Sequence, residues 1–213
     1  MVGRVQDHLE AIYGYRCELR AAEYLVDEAA ARALGGTGRA REELLVADDG
    51  EELGLALYLS KDLLERVRAY EEAPPDVVVS HDLPAYCEVA EGVSHFLYIT
   101  FAAREERQVS LLELEAQAEV DKFVSCALAR WNQNVSAWAK ELLARMFEHV
   151  GYLPSLSADE RHRYEEANRL AGQYCRQVTR LLASGRMDRL LAELRKSYRL
   201  GAKAKLAYLA SAR

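Results

Sequence analysis

Apolar positions at the start of the chain recur three or four residues apart. This spacing runs through residues 4–34 and predicts one N-terminal helix, with Gly35-Gly36 as its end. The apolar positions of that predicted helix are Val5, Leu9, Ile12, Leu19, Val26 and Ala30.

The pattern changes to alternation over residues 42–59, which predicts a β-hairpin around the turn dipeptide Asp49-Gly50. A two-residue turn pairs Val46 with Leu53, Leu44 with Leu55, and Glu42 with Leu57. Leu44, Val46 and their partners then share the buried face of the pair. A helix begins after Ser60 and ends at Pro74-Pro75, and the β-branched run 77–79 predicts a third strand. The expected local order is β-β-α-β.

Helical periodicity returns after residue 82 and continues to residue 210. Asp82, Ser110-x-x-Glu113 and Ser157-x-x-Glu160 are helix-start signals. Asn132, Asn134, Gly151 and Gly185 mark breaks or ends, and the last helix is predicted over 187–208 with Gly201 as a weak point. The predicted fold class is therefore α+β, mainly α. Residues 1–82 hold an N-terminal helix and a small sheet, residues 83–213 form a helical bundle, and both belong to one compact domain.

Charge is distributed unevenly along the 213 residues, whose net charge is −6. Residues 176–213 carry ten Lys or Arg against Asp188 and Glu193, which gives +8 and leaves −14 on the rest. The last helices are therefore expected to lie against acidic surface, either on this protein or on another molecule.

Several function classes lack their sequence signatures. The chain has no phosphate-binding glycine loop, dinucleotide fingerprint, zinc-protease motif, serine-hydrolase elbow or RNA-recognition signature. Cys17, Cys87, Cys126 and Cys175 stand alone, which argues against a zinc ribbon or a redox dithiol. The longest stretch without Asp, Glu, Lys or Arg has 12 residues, too few for a membrane span, and the first ten residues do not resemble a signal peptide. These features predict a cytoplasmic protein.

The sequence that most resembles a chemical site is Glu91-x-x-x-His95, inside a segment that is apolar almost all round. If the next helix returns antiparallel, His95 faces Glu119, with Glu115 one turn away. Carboxylates and an imidazole on facing helices could hold a transition metal, as in di-iron bundles. The alternative is structural: Glu91 and His95 hydrogen-bond each other, and Glu119 pairs with Lys122.

Two further features are candidates for binding. Basic residues line one face of the last predicted helix, and this stripe could dock on the acidic body, in a partner's groove, on an acidic membrane or on nucleic acid. The stripe consists of Arg189, Lys196, Arg199 and Lys203. Trp131 and Trp138 share a face if their helix is continuous, either in the core or as interface anchors.

Three functions fit these observations. The leading prediction is a non-catalytic cytoplasmic accessory protein without a cofactor, which binds a protein partner or itself through helical surfaces and the basic C-terminal helix. The second is a metal-dependent, di-iron-like enzyme that uses Glu91, His95, Glu115 and Glu119. The third is a nucleic-acid-associated protein that uses the basic stripe.

Overall fold

The structure is a computed structural model that describes residues 1–48, 53–148, 150–152 and 154–212. The described residues form ten α-helices and a three-stranded mixed sheet, and the chain is 69 % helical. This confirms the α+β, mainly α fold class.

The first segment is not one long helix. Helix α1 covers Val2–Tyr13 and ends at Gly14, whose φ of 59° is the left-handed conformation that glycine adopts without strain. A 3-10 turn at Ala21–Tyr24, a short strand β1 at Leu25–Val26 and helix α2 at Glu28–Ala33 follow. The prediction of a helix over 4–34 was wrong because the apolar spacing continues by chance across Gly14.

The sheet contains β1, β2 (Glu42–Asp48) and β3 (Leu53–Leu59) in the order β1-β3-β2. The hairpin is antiparallel, but its register differs by two residues from the predicted one, since Leu44 pairs with Leu57 and Glu42 with Leu59. A shift of two keeps every side chain on its predicted face. The predicted burial of that face is wrong near the turn, where Val46 and Leu53 are 47 % and 37 % exposed. Asp49-Gly50 lies outside the described residues.

The predicted third strand is helical, so the β-β-α-β order is wrong. Helix α3 covers Lys61–Arg68 with Ser60 as its N-cap, and α4 covers Pro75–His81. Proline at the first helical position and Asp76 in the first turn begin α4, and this outweighs the strand preference of its valines. The third strand is instead β1, which pairs in parallel with β3.

Two antiparallel helices form the centre of the bundle. Helix α5 covers Leu83–Arg104 and begins where the Asp82 side chain accepts a hydrogen bond from the Ala85 N–H. Helix α6 covers Leu111–Ala129 and has Ser110 as its N-cap. Most of both helices is buried, in agreement with their apolar sequences.

The chain breaks near Asn134 as predicted, where φ is 49°. Helix α7 covers Val135–Leu143 and continues into a π turn at Ala144–Glu148. Helix α8 covers Ala158–Ala183 and begins with the predicted capping box of Ser157 and Glu160. The last predicted helix is two helices, α9 (Met187–Arg199) and α10 (Ala202–Ser211), because the chain is extended at Leu200 and Gly201.

One hydrophobic core connects the sheet with the helices. Its buried side chains come from α1, β3 and α3 to α10, with Phe96, Tyr98, Phe123 and Tyr174 among the largest. Helices α5 and α6 pass through the middle of this core, so the polar side chains that they carry are held away from water.

Candidate metal centre

Three side chains on α5 and α6 come together as potential metal ligands. Glu91 and His95 are one turn apart on α5, and Glu115 reaches them from α6. One ligand atom from each of the three lies within 4.8 Å of the others. Ligand atoms around an ion with bonds of about 2.0–2.2 Å lie roughly 3–4 Å apart, so small side-chain rotations would complete the set.

His95 is the central residue of this group. It is 7 % exposed, and its Nε2 lies 3.6 Å from Glu115 Oε2, beyond hydrogen-bond distance. Nε2 has no hydrogen-bond partner among the described residues. An imidazole nitrogen that is buried, lacks a hydrogen bond and faces a carboxylate is able to coordinate a metal ion together with that carboxylate.

Glu42 of β2 adds a fourth side chain, which the sequence did not identify as a candidate. Its Oε2 lies 3.9 Å from His95 Nδ1 and has no hydrogen-bond partner among the described residues. Glu42 follows the alternation of Leu44 and Val46 onto the inward face of the strand. A carboxylate at an inward position was the signal that could have identified it.

Gly92 allows β2 to approach α5 so closely. A Cβ at this position would lie 3.0 Å from Leu57 Cδ1 and 3.1 Å from Glu42 Oε2. The absence of a side chain on α5 thus makes room for the Glu42 carboxylate beside His95.

The charges of these groups are strongly coupled. Burial alone would lower the pKa of His95, but the neighbouring carboxylates of Glu115, Glu42 and Glu91 outweigh it and raise that pKa to about 9. Burial, together with repulsion from Glu91 and Glu115, raises the pKa of Glu42 to about 8. The imidazolium of His95 is therefore a cation that lies between the carboxyl groups of Glu42 and Glu115.

Lys122 separates Glu119 from the His95 group. Its Nζ donates hydrogen bonds to Glu91 Oε2 at 2.7 Å and to Glu119 Oε1 at 2.9 Å. Burial alone would lower the pKa of Lys122, but Glu119 and Glu91 raise it well above its usual value. Glu91 thus contacts Lys122, and no hydrogen bond joins Glu91 to His95 among the described residues. The predicted Glu119–Lys122 ion pair is present, but it is largely buried.

More charged groups surround the cluster. Arg163 of α8 approaches Glu115, with Nε 4.0 Å from Oε1. Glu88 of α5 lies 3.8 Å from Arg41, and burial raises its pKa above the usual value. Five carboxyl groups therefore meet at the junction of β2, α5 and α6: Glu42, Glu88, Glu91, Glu115 and Glu119.

Helix α6 buries a second polar stripe on another face, formed by Glu113, Gln117 and Asp121. Asp121 accepts hydrogen bonds from Tyr13, Ser94 and Gln117. Lys205 of α10, which is 0 % exposed, donates to Gln117 and lies 4.0 Å from the centre of the Tyr98 ring. These groups contact one another, so this stripe connects α1, α5, α6 and α10.

The basic stripe is split between α9 and α10, and Arg189, Lys196, Arg199 and Lys203 are all exposed. Arg195 and Arg199 nonetheless donate hydrogen bonds to the carbonyl groups of Ala11, Ile12 and Tyr13 at the end of α1. Arg195 and Arg199 therefore attach the basic segment to the protein itself through main-chain carbonyls.

The two tryptophans do not share one helix, because the chain breaks between them. Trp138 is buried, and its indole N–H donates to the Cys126 carbonyl. Trp131 is partly buried and packs against the core.

A surface cleft of about 760 Å³ lies away from the cluster. It is lined by residues of α1, β1 and α3 and by the segments that follow α1 and α3, among them Arg4, Arg20 and Glu71. Its lining includes no member of the metal-ligand group, so the two sites are separate.

Comparisons with known proteins identify no relative. No family model matches the chain, and neither the curated proteins nor the solved structures give a match. Among the described residues, no helix combines the length and the apolar character that crossing a membrane requires. The proposals below therefore depend on the geometry and the charges of this chain alone.

Proposed function

We propose that this protein binds a divalent transition-metal ion through Glu91, His95 and Glu115. The observation that carries the proposal is the convergence of these ligand atoms around the buried, unpartnered Nε2 of His95. One imidazole with two carboxylates suits manganese, iron or zinc better than copper(I), which prefers sulfur ligands.

Charge supports the same proposal. Among the described residues, ion pairs join these five carboxyl groups to three permanent cations, Lys122, Arg163 and Arg41. When His95 is neutral, as a metal ligand must be, a dication would supply the positive charge that the imidazolium otherwise holds beside these carboxyl groups. Metal binding would then replace the proton that His95 holds.

Glu42 would act as the partner of the ligand and not as a ligand itself. A histidine that binds metal through one ring nitrogen usually donates the other N–H to a carboxylate. Glu42 lies on the Nδ1 side of His95 and Glu115 on the Nε2 side, which is the arrangement that such a role requires.

The ion would connect α5 with α6 directly and with β2 through Glu42, so binding would stabilise the fold as well as add positive charge to the cluster. The proposed function is metal binding, as in the prediction of a metal-dependent enzyme, but no reaction is assigned to the site. The protein-partner, nucleic-acid and cytoplasmic predictions stay predictions.

Calorimetric titration of chelator-treated protein with Mn²⁺ and Zn²⁺ tests the proposal. Wild-type protein should bind, and His95→Ala and Glu115→Gln should each weaken binding at least about 100-fold, because each removes a ligand. Glu42→Gln should weaken it about 10–100-fold as an outer partner.

The matched control is His162→Ala on α8. His162 has the same four-residue spacing to Glu166 as His95 has to Glu91, but it is exposed. This variant should bind like wild type. Circular dichroism confirms that each variant is folded. The proposed site would be ruled out if wild-type protein bound neither ion, or if folded His95→Ala bound the ions as tightly as wild type.

A further inference from the structure

We infer that the ammonium group of Lys122 takes the place of a second metal ion, so that the centre holds one ion and not two. Removal of this ammonium should open a second metal position between Glu91 and Glu119. This inference rests on the proposed metal-binding function. The site would then bind one metal ion per chain, whereas a di-iron-like centre binds two.

Geometry places Lys122 where a second ion would bind. Its Nζ lies between two carboxylate oxygens, 2.7 Å from Glu91 Oε2 and 2.9 Å from Glu119 Oε1. The Lys122 side chain is only 11 % exposed, so the ammonium is held between α5 and α6 and is not a mobile surface charge.

Glu91 belongs to both positions. It is a member of the potential ligand group with His95 and Glu115, and it also accepts the Lys122 hydrogen bond. In paired-metal sites, carboxylates lie between ions that are about 3.5–4 Å apart. Here the same carboxylate would connect one ion with one ammonium group.

Occupancy explains why the ammonium excludes a second ion. A dication between Glu91 and Glu119 would have to displace the ammonium, which takes one oxygen of each carboxylate. Lys122 contributes one positive charge, whereas a second ion would contribute two. The ion at His95 then has the carboxylates of Glu91 and Glu115 as its ligands.

The test is the number of Mn²⁺ ions bound per chain, measured by equilibrium dialysis and elemental analysis. Wild type should bind one ion. Lys122→Ala should bind two, because it frees both the space and the two carboxylates, whereas Lys122→Arg should keep one. Lys140→Ala, at an exposed position on α7, is the control and should also keep one.

A second variant covers the case in which Lys122→Ala does not fold. Glu119→Gln leaves Lys122 paired with Glu91, and it should retain one ion with less than a tenfold change in affinity, because Glu119 is not a ligand of the single ion.

The outcomes separate the two proposals. No ion on wild-type protein contradicts the proposed function, and the inference fails with it. Two ions on wild type, a single ion on folded Lys122→Ala, or lost binding by folded Glu119→Gln each overturns the inference and leaves a metal site in place.

Discussion

At the scale of single residues, helix α6 holds buried charges in two different ways. Glu115 and Glu119 face cations and a histidine whose proton a metal could replace. Asp121, on another face, accepts three hydrogen bonds from side chains and is fixed in a closed network. The first group includes His95 Nε2, which lacks a hydrogen bond and could coordinate a metal ion. In the second group, the Asp121 carboxylate is already occupied by its three hydrogen bonds.

Asp121 should make stability depend on pH. Burial raises its pKa to about 6, and the hydrogen bonds from Ser94, Tyr13 and Gln117 offset only part of that rise. The folded state therefore binds a proton more tightly than the unfolded state, whose pKa is near 3.8. This contribution to stability is fully present below that value and is lost as pH rises through 6.

We expect the free energy of unfolding of wild type, relative to that of Asp121→Asn, to change with pH. Wild type should lose on the order of 2 kcal/mol relative to the variant between pH 4 and pH 7, because the shift is about two pKa units and the unfolded carboxyl is already partly ionised at pH 4. Urea unfolding at both pH values measures it. Asp188→Asn is the control, because the pKa of the exposed Asp188 is lowered to about 2 and does not titrate in this range. A difference for Asp121→Asn that is independent of pH would contradict this assignment.

The sequence identified some of these residues for a physical reason. The four-residue spacing of Glu91 and His95 guarantees a common helix face. The antiparallel neighbour was predicted to place Glu119 opposite His95, but Glu115 faces His95 and Glu119 contacts Lys122. The contact between Glu42 and His95 joins residues 53 positions apart, and it depends on the absence of a side chain at Gly92. Periodicity carries no information about such a contact, so the sequence did not reveal it.

At the scale of helices and strands, local signals predicted where helices begin better than where they end, since α3 ends at Arg68 and not at Pro74-Pro75. Ser60, Asp82, Ser110 and Ser157 all cap the helices that they were expected to begin. The valines of α4 favour a strand by their side-chain preference, but Pro75 at the helix start favours the helix that forms. Strand β1 was missed because two residues do not establish an alternating pattern.

The attachment of α9 to α1 gives a second prediction. Arg195 donates to the carbonyl groups of Ile12 at 3.0 Å and Ala11 at 3.2 Å, where the last carbonyls of α1 lack partners within the helix. Arg195→Ala should lower the free energy of unfolding by about 1–2 kcal/mol, as expected for two hydrogen bonds to a charged group in a partly buried position.

Urea unfolding of Arg195→Ala beside Arg189→Ala measures this effect. Arg189 is exposed on the same helix, and its replacement should change the free energy of unfolding by less than about 0.5 kcal/mol. Equal stability of the two variants would show that the bonds to α1 do not hold α9 in place.

At the scale of the whole molecule, the basic C-terminal segment packs against helices of the acidic part of the chain. Of the basic C-terminal segment, Arg195 and Arg199 contact the end of α1, and Lys205 is buried against α6. The acidic part has its own concentration of charge, where the sheet meets α5 and α6. A metal ion at that junction would add positive charge beside its carboxyl groups.

The position of a bound ion is the most direct test of this conclusion. Crystals grown with Mn²⁺ should show, in an anomalous difference map, one strong peak among Glu91, His95 and Glu115, about 2.0–2.3 Å from their ligand atoms. Glu42 should lie on the opposite side of the imidazole, within hydrogen-bond distance of Nδ1. Crystals of Mn²⁺-saturated protein with no peak at these residues, or with peaks only at surface groups such as His162 and Glu166, would contradict the proposed metal centre.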